Sequence, residues 1–425
     1  MKSVTQTRRH GNDSRQDLHL LPSLRNCVKT KDLYMGIQLH EQILRTKGLL
    51  ESSIYLGSCL ISMYSKCGML GMAHKVLKEL RTPNTFSWNA LISGYAQHGQ
   101  VEEALNYFKR MQNEGIFPEF VTFICILKIC SYRAPTIDKG KQIHDMIVGG
   151  ALLGKDSVLG NALVNMYSKC GELAKAQEVF DKLSHRNVVS WTALISGYVD
   201  HGLSKEALDC AQMMEMDGIS PNIVTFCCLL KACGDTTCID LAEAHLIYMK
   251  TLQTGYEKHL LVGNTLVGLY AKHGALQEAE HIFHRLVDRT VVSWNALITA
   301  YAMLGLCEDM VNCFLEMRLQ GQVLDAITSV NIIKGFGIAG TLTGGGLEMH
   351  AEIVKVGIEE DIMVGNTLVN MYATCGAFTD AWNVLTMLKP QGIIPWNALL
   401  SGYVEHGMVD EALECYFHLR DLKEL

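Results

Sequence analysis

The sequence predicts an all-α protein, a right-handed α-solenoid of about twelve helical hairpins, and three observations support this fold class. A twelve-residue phrase that begins at Gly57 returns at Gly160, Gly263 and Gly365. A second phrase, whose first tryptophan is Trp88, follows each copy, and its tryptophans stand 103, 103 and 102 residues apart. Between these phrases the apolar residues keep a helical period. Self-similarity at a fixed period indicates stacked units that share one continuous core.

Composition favours one elongated body over separate domains. The 425 residues are 48% hydrophobic and include only 7 prolines, and no Ser/Gly-rich or charge-rich linker interrupts the copies. Residues 1–16 carry four basic residues and one acid among Ser and Thr, so we expect a short disordered leader with a weak resemblance to a transit peptide. No uncharged apolar run reaches the roughly 18 residues that a membrane helix needs.

Charge and cysteine content limit the compartments and the classes of ligand to be considered. A formal net charge of −7 argues against a generally basic nucleic-acid binder but leaves room for a local basic track. The 15 cysteines are an odd number, and three of them recur at equivalent positions as small core residues (Cys67, Cys170 and Cys375). We therefore expect reduced thiols in an intracellular compartment.

Each unit is predicted to be a pair of helices joined by a tight turn. In residues 88–96 the apolar positions Trp88, Leu91, Ile92 and Tyr95 follow the spacing of one helix face. The serines before the tryptophans are candidates for the N-cap of this helix (Ser87, Ser190 and Ser293). The glycines that follow the second phrase are candidates for its left-handed end (Gly99, Gly202, Gly305 and Gly407).

Three hairpin types alternate within each period. The short type covers 54–84, 157–187, 260–290 and 362–392. The standard type covers 85–119, 188–222, 291–325 and the partial 393–425. The long type covers 17–53, 120–156, 223–259 and 326–361. The array predicted from these boundaries runs continuously over 17–425.

The phrase Trp-Asn-Ala-Leu-Ile-Ser-Gly-Tyr, followed by Glu-Glu-Ala-Leu and then Gly-Ile-x-Pro, resembles a pentatricopeptide repeat. The alternation of long, short and standard hairpins resembles the plant subclass that guides RNA editing in mitochondria and chloroplasts. The resemblance covers nearly the whole chain. It implies a non-enzymatic protein without cofactors that binds single-stranded RNA in one of these organelles, with mitochondria slightly favoured, and reads one base per hairpin with two or three side chains.

In this family the fifth and the last residue of a hairpin share one base. The resemblance therefore implies these base-reading residues: Ser58, Asn84, Asn89, Glu119, Asn161, Asn187, Thr192, Asn222, Asn264, Thr290, Asn295, Asp325, Asn366 and Asn397. By the family rule, Asn295 with Asp325 implies uracil, whereas Thr192 with Asn222 and Ser58 with Asn84 imply adenine. Asn161 with Asn187 implies cytosine or, less well, uracil, and Asn264 with Thr290 implies a pyrimidine.

Other hairpins depart from the pattern. Asn89 is paired with Glu119, Asn366 with Gly392, and Asn397 lies in the partial hairpin. The long hairpins carry apolar fifth residues or cysteine (Leu21, Ile124, Cys227 and Val330). The resemblance also implies base-packing second residues, namely Tyr55, Phe86, Val158, Val189 and Val292.

Lysines at one register of the short hairpins form a candidate phosphate row. Lys66, Lys169 and Lys272 share this register, and Thr374 breaks it. RNA binding needs cations against the phosphates, and we favour that role over a merely solvated face.

Metal chemistry has a weaker basis in the sequence. His350-Ala351-Glu352 resembles half of the zinc deaminase signature, but no Cys-x-x-Cys follows, and His350 has counterparts in the other long hairpins. We expect a structural histidine. The cysteine pairs 125/130 and 233/238 have the wrong spacing for a zinc knuckle.

The sequence leaves one alternative function open. The preferred hypothesis is a sequence-specific RNA-binding adaptor in organelle RNA editing or processing that recruits a deaminase or another enzyme in trans. The alternative is a peptide-binding scaffold of the tetratricopeptide kind, whose hairpins have a similar length. The chain ends within a hairpin at Leu425. We expect either an adaptor that lacks the enzyme domain or a shortened product.

Overall fold

The computed structural model describes residues 20–46, 50, 53–131, 137–150, 157–234, 241–340, 344–358, 361–388 and 392–421. The leader predicted at 1–16 lies outside these residues. Within them every regular element is a helix, so the all-α repeat fold is confirmed. None of the described helices combines the length and the apolar character that crossing a membrane requires.

Twenty-four α-helices follow one another in the described part of the chain, and one 3₁₀ turn is added at Tyr256–Lys258. The helices of the first half are α1 (20–30), α2 (Leu33–Arg45), α3 (Ile54–Lys66), α4 (Leu70–Glu79), α5 (Thr85–Gln97), α6 (Val101–Asn113), α7 (Phe120–Cys130), α8 (Ile137–Gly149), α9 (Ser157–Lys169), α10 (Leu173–Asp181), α11 (Val188–Asp200) and α12 (Ser204–Met216). The helices of the second half are α13 (Ile223–Cys233), α14 (Leu241–Thr254), α15 (Leu260–Lys272), α16 (Leu276–Arg285), α17 (Val291–Met303), α18 (Cys307–Leu319), α19 (Ala326–Ala339), α20 (Gly344–Val356), α21 (Ile362–Thr374), α22 (Phe378–Met387), α23 (Ile393–Glu405) and α24 (Val409–Asp421).

The chain forms two compact units, 1–201 and 202–425, and the division falls between α11 and α12. Within each unit the odd-numbered helices, which are the first helices of the hairpins, pack against one another. In the first unit, α3 packs against α4 of its own hairpin and against α5 of the next. In the second unit, α15 does the same with α16 and α17. A helix pair thus buries its apolar stripe only with its neighbours, as a repeat requires.

The helix starts differ from the prediction by three residues. The N-cap of α11 is Asn187, whose Oδ1 accepts hydrogen bonds from the backbone N–H groups of Val189 and Ser190 at 3.0 and 3.1 Å. Ser190 is the third helical residue and accepts from the N–H of Asn187 in return, at 2.8 Å. The prediction of Ser87, Ser190 and Ser293 as N-caps is therefore wrong. The apolar period begins at the tryptophan, but the helix begins three residues earlier. A capping box there accepts hydrogen bonds from the backbone N–H groups of the first turn.

The helix ends agree with the prediction. Gly99, Gly202, Gly305 and Gly407 have φ values of 74°, 73°, 68° and 73°, which is the left-handed region that side chains with a Cβ rarely adopt. The chain can therefore reverse into the second helix at these positions.

The core explains why the repeated phrases contain tryptophan and glycine. Trp88, Trp191 and Trp294 are almost completely buried, which confirms their prediction as core residues. The first glycine of the other phrase lies where two helices meet. A Cβ at Gly263 would stand 2.3 Å from Cδ2 of Leu286, the leucine that follows α16. Gly57, Gly160 and Gly365 meet an equivalent leucine in their own hairpins.

Candidate nucleic-acid interface

An exposed apolar side chain occupies the second position of every hairpin from the second to the twelfth. Sequence reasoning named five of these residues, and the structure adds six that share their register and exposure. The complete set, here called the second-residue row, is Tyr55, Phe86, Val121, Val158, Val189, Val224, Leu261, Val292, Ile327, Met363 and Ile394. Each is at least half exposed. Applying the register rule to every hairpin would have found the other six.

The second-residue row is not part of the core. Tyr55 and Phe86 expose 70% and 67% of their surface, whereas Trp88, two residues after Phe86, exposes 1%. Scattered exposed apolar residues are normal on protein surfaces, but here the exposure recurs at one register in eleven hairpins. The row therefore offers a series of apolar faces with a regular spacing along each unit.

The fifth residues lie deeper than the second ones. Asn89, Asn161 and Asn295 are buried, with exposures of 7%, 8% and 8%. Four others are partly buried, and one is exposed. The partly buried ones are Ser58, Thr192, Asn264 and Asn366, and the exposed one is Asn397. Only an edge of most of these polar groups is accessible, which limits a ligand to contacts from one side.

The last residues of the hairpins act as N-caps of the following first helix. Oδ1 of Asn84 accepts from the N–H of Ser87 at 2.9 Å, and Oδ1 of Asn222 accepts from the N–H of Thr225 at 2.9 Å. Oδ1 of Asp325 accepts from the N–H of Thr328 at 2.7 Å. Asn187, Glu119 and Thr290 also cap helices, whereas Gly392 caps α23 without a side chain.

Capping determines which atom of the last residue remains for a ligand. An asparagine cap uses its carbonyl oxygen on the helix, so the N–H groups of its Nδ2 amide remain as donors. An aspartate cap uses Oδ1, so its Oδ2 remains as an acceptor. Asn84 and Asp325 therefore present opposite hydrogen-bonding character at equivalent positions.

Three of the predicted pairs are brought together. In the first unit, Oγ of Ser58 lies 3.5 Å from Oδ1 of Asn84, and Nδ2 of Asn161 donates to Oδ1 of Asn187 at 3.3 Å. In the second unit, the pair of Asn295 and Asp325 is connected through Thr328, as described next.

The hydroxyl of Thr328 bridges its pair. Its Oγ1 lies 2.7 Å from Oδ1 of Asn295 and 2.7 Å from Oδ1 of Asp325, and the side chain is fully buried. Ser87 has the same place in the first unit, with its Oγ 2.9 Å from both Oγ of Ser58 and Oδ1 of Asn84. Sequence reasoning missed this third residue because it took the serine for the cap itself.

Two other predicted pairs are not joined directly. Among the described residues, no hydrogen bond links Asn89 to Glu119 or Asn264 to Thr290. Thr192 belongs to the first unit, where its hydroxyl donates to the carbonyl oxygen of Val188 at 2.6 Å. Its predicted partner Asn222 belongs to the second unit.

The first unit has an open cavity of ≈ 640 Å³ at its second hairpin, a volume that suits a small ligand. The pair of Ser58 and Asn84 lies in its wall. Tyr55 and Phe86 line it as well. The polar pair and the two apolar side chains therefore line the same cavity as three cations. These cations are Arg25, Lys29 and Lys66.

The candidate phosphate lysines lie at the ends of the short first helices. Lys66, Lys169 and Lys272 are the final residues of α3, α9 and α15, and all three are exposed. A cation at a helix C-terminus also interacts favourably with the helix dipole. At this register the lysines therefore stabilise their helices, in addition to any contact that they make with a ligand.

The histidines of the long hairpins have a structural partner. Nδ1 of His350 lies 2.7 Å from the hydroxyl of Tyr372, and the same contact recurs between His40 and Tyr64 at 2.8 Å. Burial raises the pKa of Tyr372 to about 12, so its hydroxyl stays protonated. In the part of the chain that the structure describes, no three His, Cys, Asp or Glu side chains converge as metal ligands would. Cys238 lies outside the described residues.

Comparisons with known proteins agree with this architecture. The model of the PPR repeat matches residues 58–82, 161–188, 264–291, 292–322 and 394–423, and that of the PPR repeat family matches 83–131 and 186–235. The chain is similar to the structure of yeast Rmd9p in complex with a 16-nucleotide target RNA, with a TM-score of 0.50 at 14% identity. This similarity covers 96% of the chain and 97% of Rmd9p.

Curated relatives from Arabidopsis thaliana are similar over most of the chain. One chloroplastic pentatricopeptide repeat-containing protein is 32% identical over 92% of this chain and 48% of its own length. The chain spans about half the length of several such relatives. Another chloroplastic relative is 31% identical over 91% of this chain and 72% of its own length. The repeated helix pairs, the matched repeats and this extended similarity show that the chain belongs to the pentatricopeptide repeat family.

Proposed function

We propose that the protein binds single-stranded RNA in a sequence-specific manner and acts as a non-catalytic adaptor in organelle RNA editing or other RNA processing. The observation that carries the proposal is the cavity of the first unit, where Tyr55 and Phe86 line the same space as Ser58 and Asn84. Apolar faces suit unpaired bases, and a polar pair beside them can bind a base edge. The structure of Rmd9p with its target RNA gives a precedent for RNA binding by this fold.

The helix caps supply a chemical basis for base selection. Uracil and guanine carry a ring N–H on their pairing edge, whereas adenine and cytosine carry a ring nitrogen that accepts. Asp325 presents an acceptor and suits uracil and guanine, whereas Asn84 presents a donor and suits adenine and cytosine. The fifth residue then distinguishes the larger purine from the smaller pyrimidine, as the family rule implies for Asn295 and Ser58.

Base packing and charge complete the proposed interface. The second-residue row would stack on successive bases, with the five predicted members and the six added by the structure acting alike. Lys66, Lys169 and Lys272 would contact phosphates, since single-stranded RNA binding requires cations along the backbone. Asn366 would contribute a weaker contact, because Gly392, the last residue of its hairpin, has no side chain.

The relatives support a place of action in an organelle. Pentatricopeptide repeat-containing proteins named as chloroplastic or mitochondrial are 32% identical to this chain over the aligned residues. We assign the protein to one of these organelles and to the subclass with alternating hairpin types. A deaminase or another RNA-processing enzyme would act in trans on the RNA that the protein binds.

The substitution Asp325→Asn tests the base-reading mechanism. Asparagine caps helices as well as aspartate does, so the start of α19 should remain intact. The exposed atom changes from an acceptor to a donor, so the preference at one RNA position should move from uracil toward cytosine. Discrimination by a well-placed side chain is worth about 1 kcal/mol at the low end, which corresponds to roughly a fivefold change in relative affinity. Competition binding with RNAs varied one base at a time would measure it.

Asp361→Asn is the matched control. Asp361 caps α21 in the same unit, but the fifth residue of the preceding long hairpin is the apolar Val330. The control should leave every base preference unchanged. A wild-type protein that binds no single-stranded RNA would overturn the proposed function, and a peptide-binding scaffold would then be the better hypothesis.

A further inference from the structure

A second basic register lies on the first helices of the long hairpins. The ninth residue of each long hairpin is a cation, and all four cations are exposed: Arg25, Lys128, Lys231 and Lys334. We call them the ninth-residue row. The long hairpins lack the polar fifth residue with which the short and standard hairpins would read a base. A recurring charge on helices without a base-reading pair needs another explanation.

The ninth-residue row lies beside the candidate phosphate lysines. In the first unit, Arg25 and Lys66 line the same cavity. In the second unit, a Cβ at Gly234 would lie 3.8 Å from Nζ of Lys272. Gly234 follows Lys231 by three residues, which places both over the same side of α13. In these two periods the cation of the long hairpin therefore lies on the same side as the lysine of the following short hairpin.

Repeated contacts at the helix ends maintain this arrangement. Nε2 of His273, the residue after Lys272, lies 2.8 Å from the carbonyl oxygen of Cys233. At the equivalent place in the first unit, Sγ of Cys170, the residue after Lys169, lies 3.4 Å from the carbonyl oxygen of Cys130. The ends of α7 and α9, and of α13 and α15, are therefore held together. These contacts fix the ends of the helices that carry Lys128 and Lys169 and of those that carry Lys231 and Lys272.

We propose that the ninth-residue row binds the phosphodiester backbone of single-stranded RNA, in combination with the lysines of the short hairpins. The inference rests on the proposed function and adds a role for the long hairpins, which would hold the strand between base-reading hairpins. Cations that follow one another along a surface attract the successive phosphates of a polyanionic strand. On a chain with a net charge of −7, such rows do not follow from composition. Lys334 stands without a lysine partner, because Thr374 occupies the short-hairpin position.

The triple variant Lys128→Gln, Lys231→Gln, Lys334→Gln tests the proposal on the full chain. Its affinity for random-sequence single-stranded RNA should be measured by fluorescence anisotropy over a range of salt concentrations. Each phosphate contact to a single strand contributes a salt slope near 0.7, so losing three contacts should flatten the slope by about 2 units. Base preferences in competition binding should stay as they are in the wild-type protein, because no base-reading residue changes.

Two further variants make the outcome decisive. Lys75→Gln, Lys109→Gln, Lys205→Gln removes the same charge from exposed positions on the second helices α4, α6 and α12, and should keep the wild-type slope. Replacing the ninth-residue lysines by arginine should also keep it, since the charge remains. The proposal is overturned if the glutamine variant has the same slope as the second-helix variant, or if it changes base preference at an unchanged slope. Absence of RNA binding by the wild-type protein would instead overturn the proposed function itself.

Discussion

Replacing Thr328 by valine should separate the bridging hydroxyl from the helix cap. Valine has nearly the same shape as threonine but lacks the hydroxyl that lies 2.7 Å from Oδ1 of Asn295. The backbone N–H of residue 328 still donates to Oδ1 of Asp325, so the start of α19 keeps its cap. The substitution therefore removes the two contacts of the hydroxyl, to Asn295 and to Asp325, from a fully buried position and keeps the backbone cap.

The cost follows from the burial of the partner. Asn295 is only 8% exposed, so its Oδ1 would lose its donor where water has little access. An unsatisfied buried acceptor costs about 1–3 kcal/mol. In urea unfolding monitored by circular dichroism, the transition of the second unit should move to a lower midpoint. The size of the shift is this loss of free energy divided by the denaturant slope. Thr328→Ser is the control, since it keeps the hydroxyl and loses only a methyl group.

The same variant should affect base reading. Without Thr328 to hold its oxygen, the Asn295 amide can turn and present either its donor or its acceptor. The preference for uracil at one RNA position should weaken in the valine variant and persist in the serine variant, as measured by competition binding. If valine and serine variants were equally stable and equally selective, Thr328 would have no positioning role, and the hydroxyl bridge would be incidental.

Two other predictions concern the first unit. Phe86→Ala should lower RNA affinity by about 1–3 kcal/mol, the value of one base stacked on an aromatic ring, whereas Phe117→Ala, at an 85% exposed position between α6 and α7, should leave the affinity measured by anisotropy unchanged. Burial lowers the pKa of His40, whose Nδ1 contacts the hydroxyl of Tyr64. The contribution of His40 to stability should therefore be lost as the pH falls below about 6.5, its value in the unfolded chain. Urea midpoints for the first unit should then drop between neutral and mildly acidic pH, and less so in His40→Gln; an identical pH dependence in both proteins would contradict this assignment.

Local sequence determined most of the repeat architecture. The helical period of the apolar residues predicts the helices, and the position of glycine predicts where they end, because only a left-handed residue allows the reversal at Gly99 or Gly305. Burial of Trp88 and its equivalents also follows from the period alone. The helix starts could not be located as well, because a capping box adds a polar turn that the apolar pattern does not contain.

Tertiary packing decided which residues can act together. The sequence contains apolar second residues in every hairpin, but only the stacked helices show that Val121 and Met363 are exposed in the same way as Phe86. Likewise, Thr328 is distant from Asn295 along the chain and meets it only because consecutive first helices pack side by side. Arg25 and Lys66 share a cavity for the same reason. A period in sequence fixes the register of each row of side chains, whereas the packing between neighbouring helices fixes which rows lie next to each other.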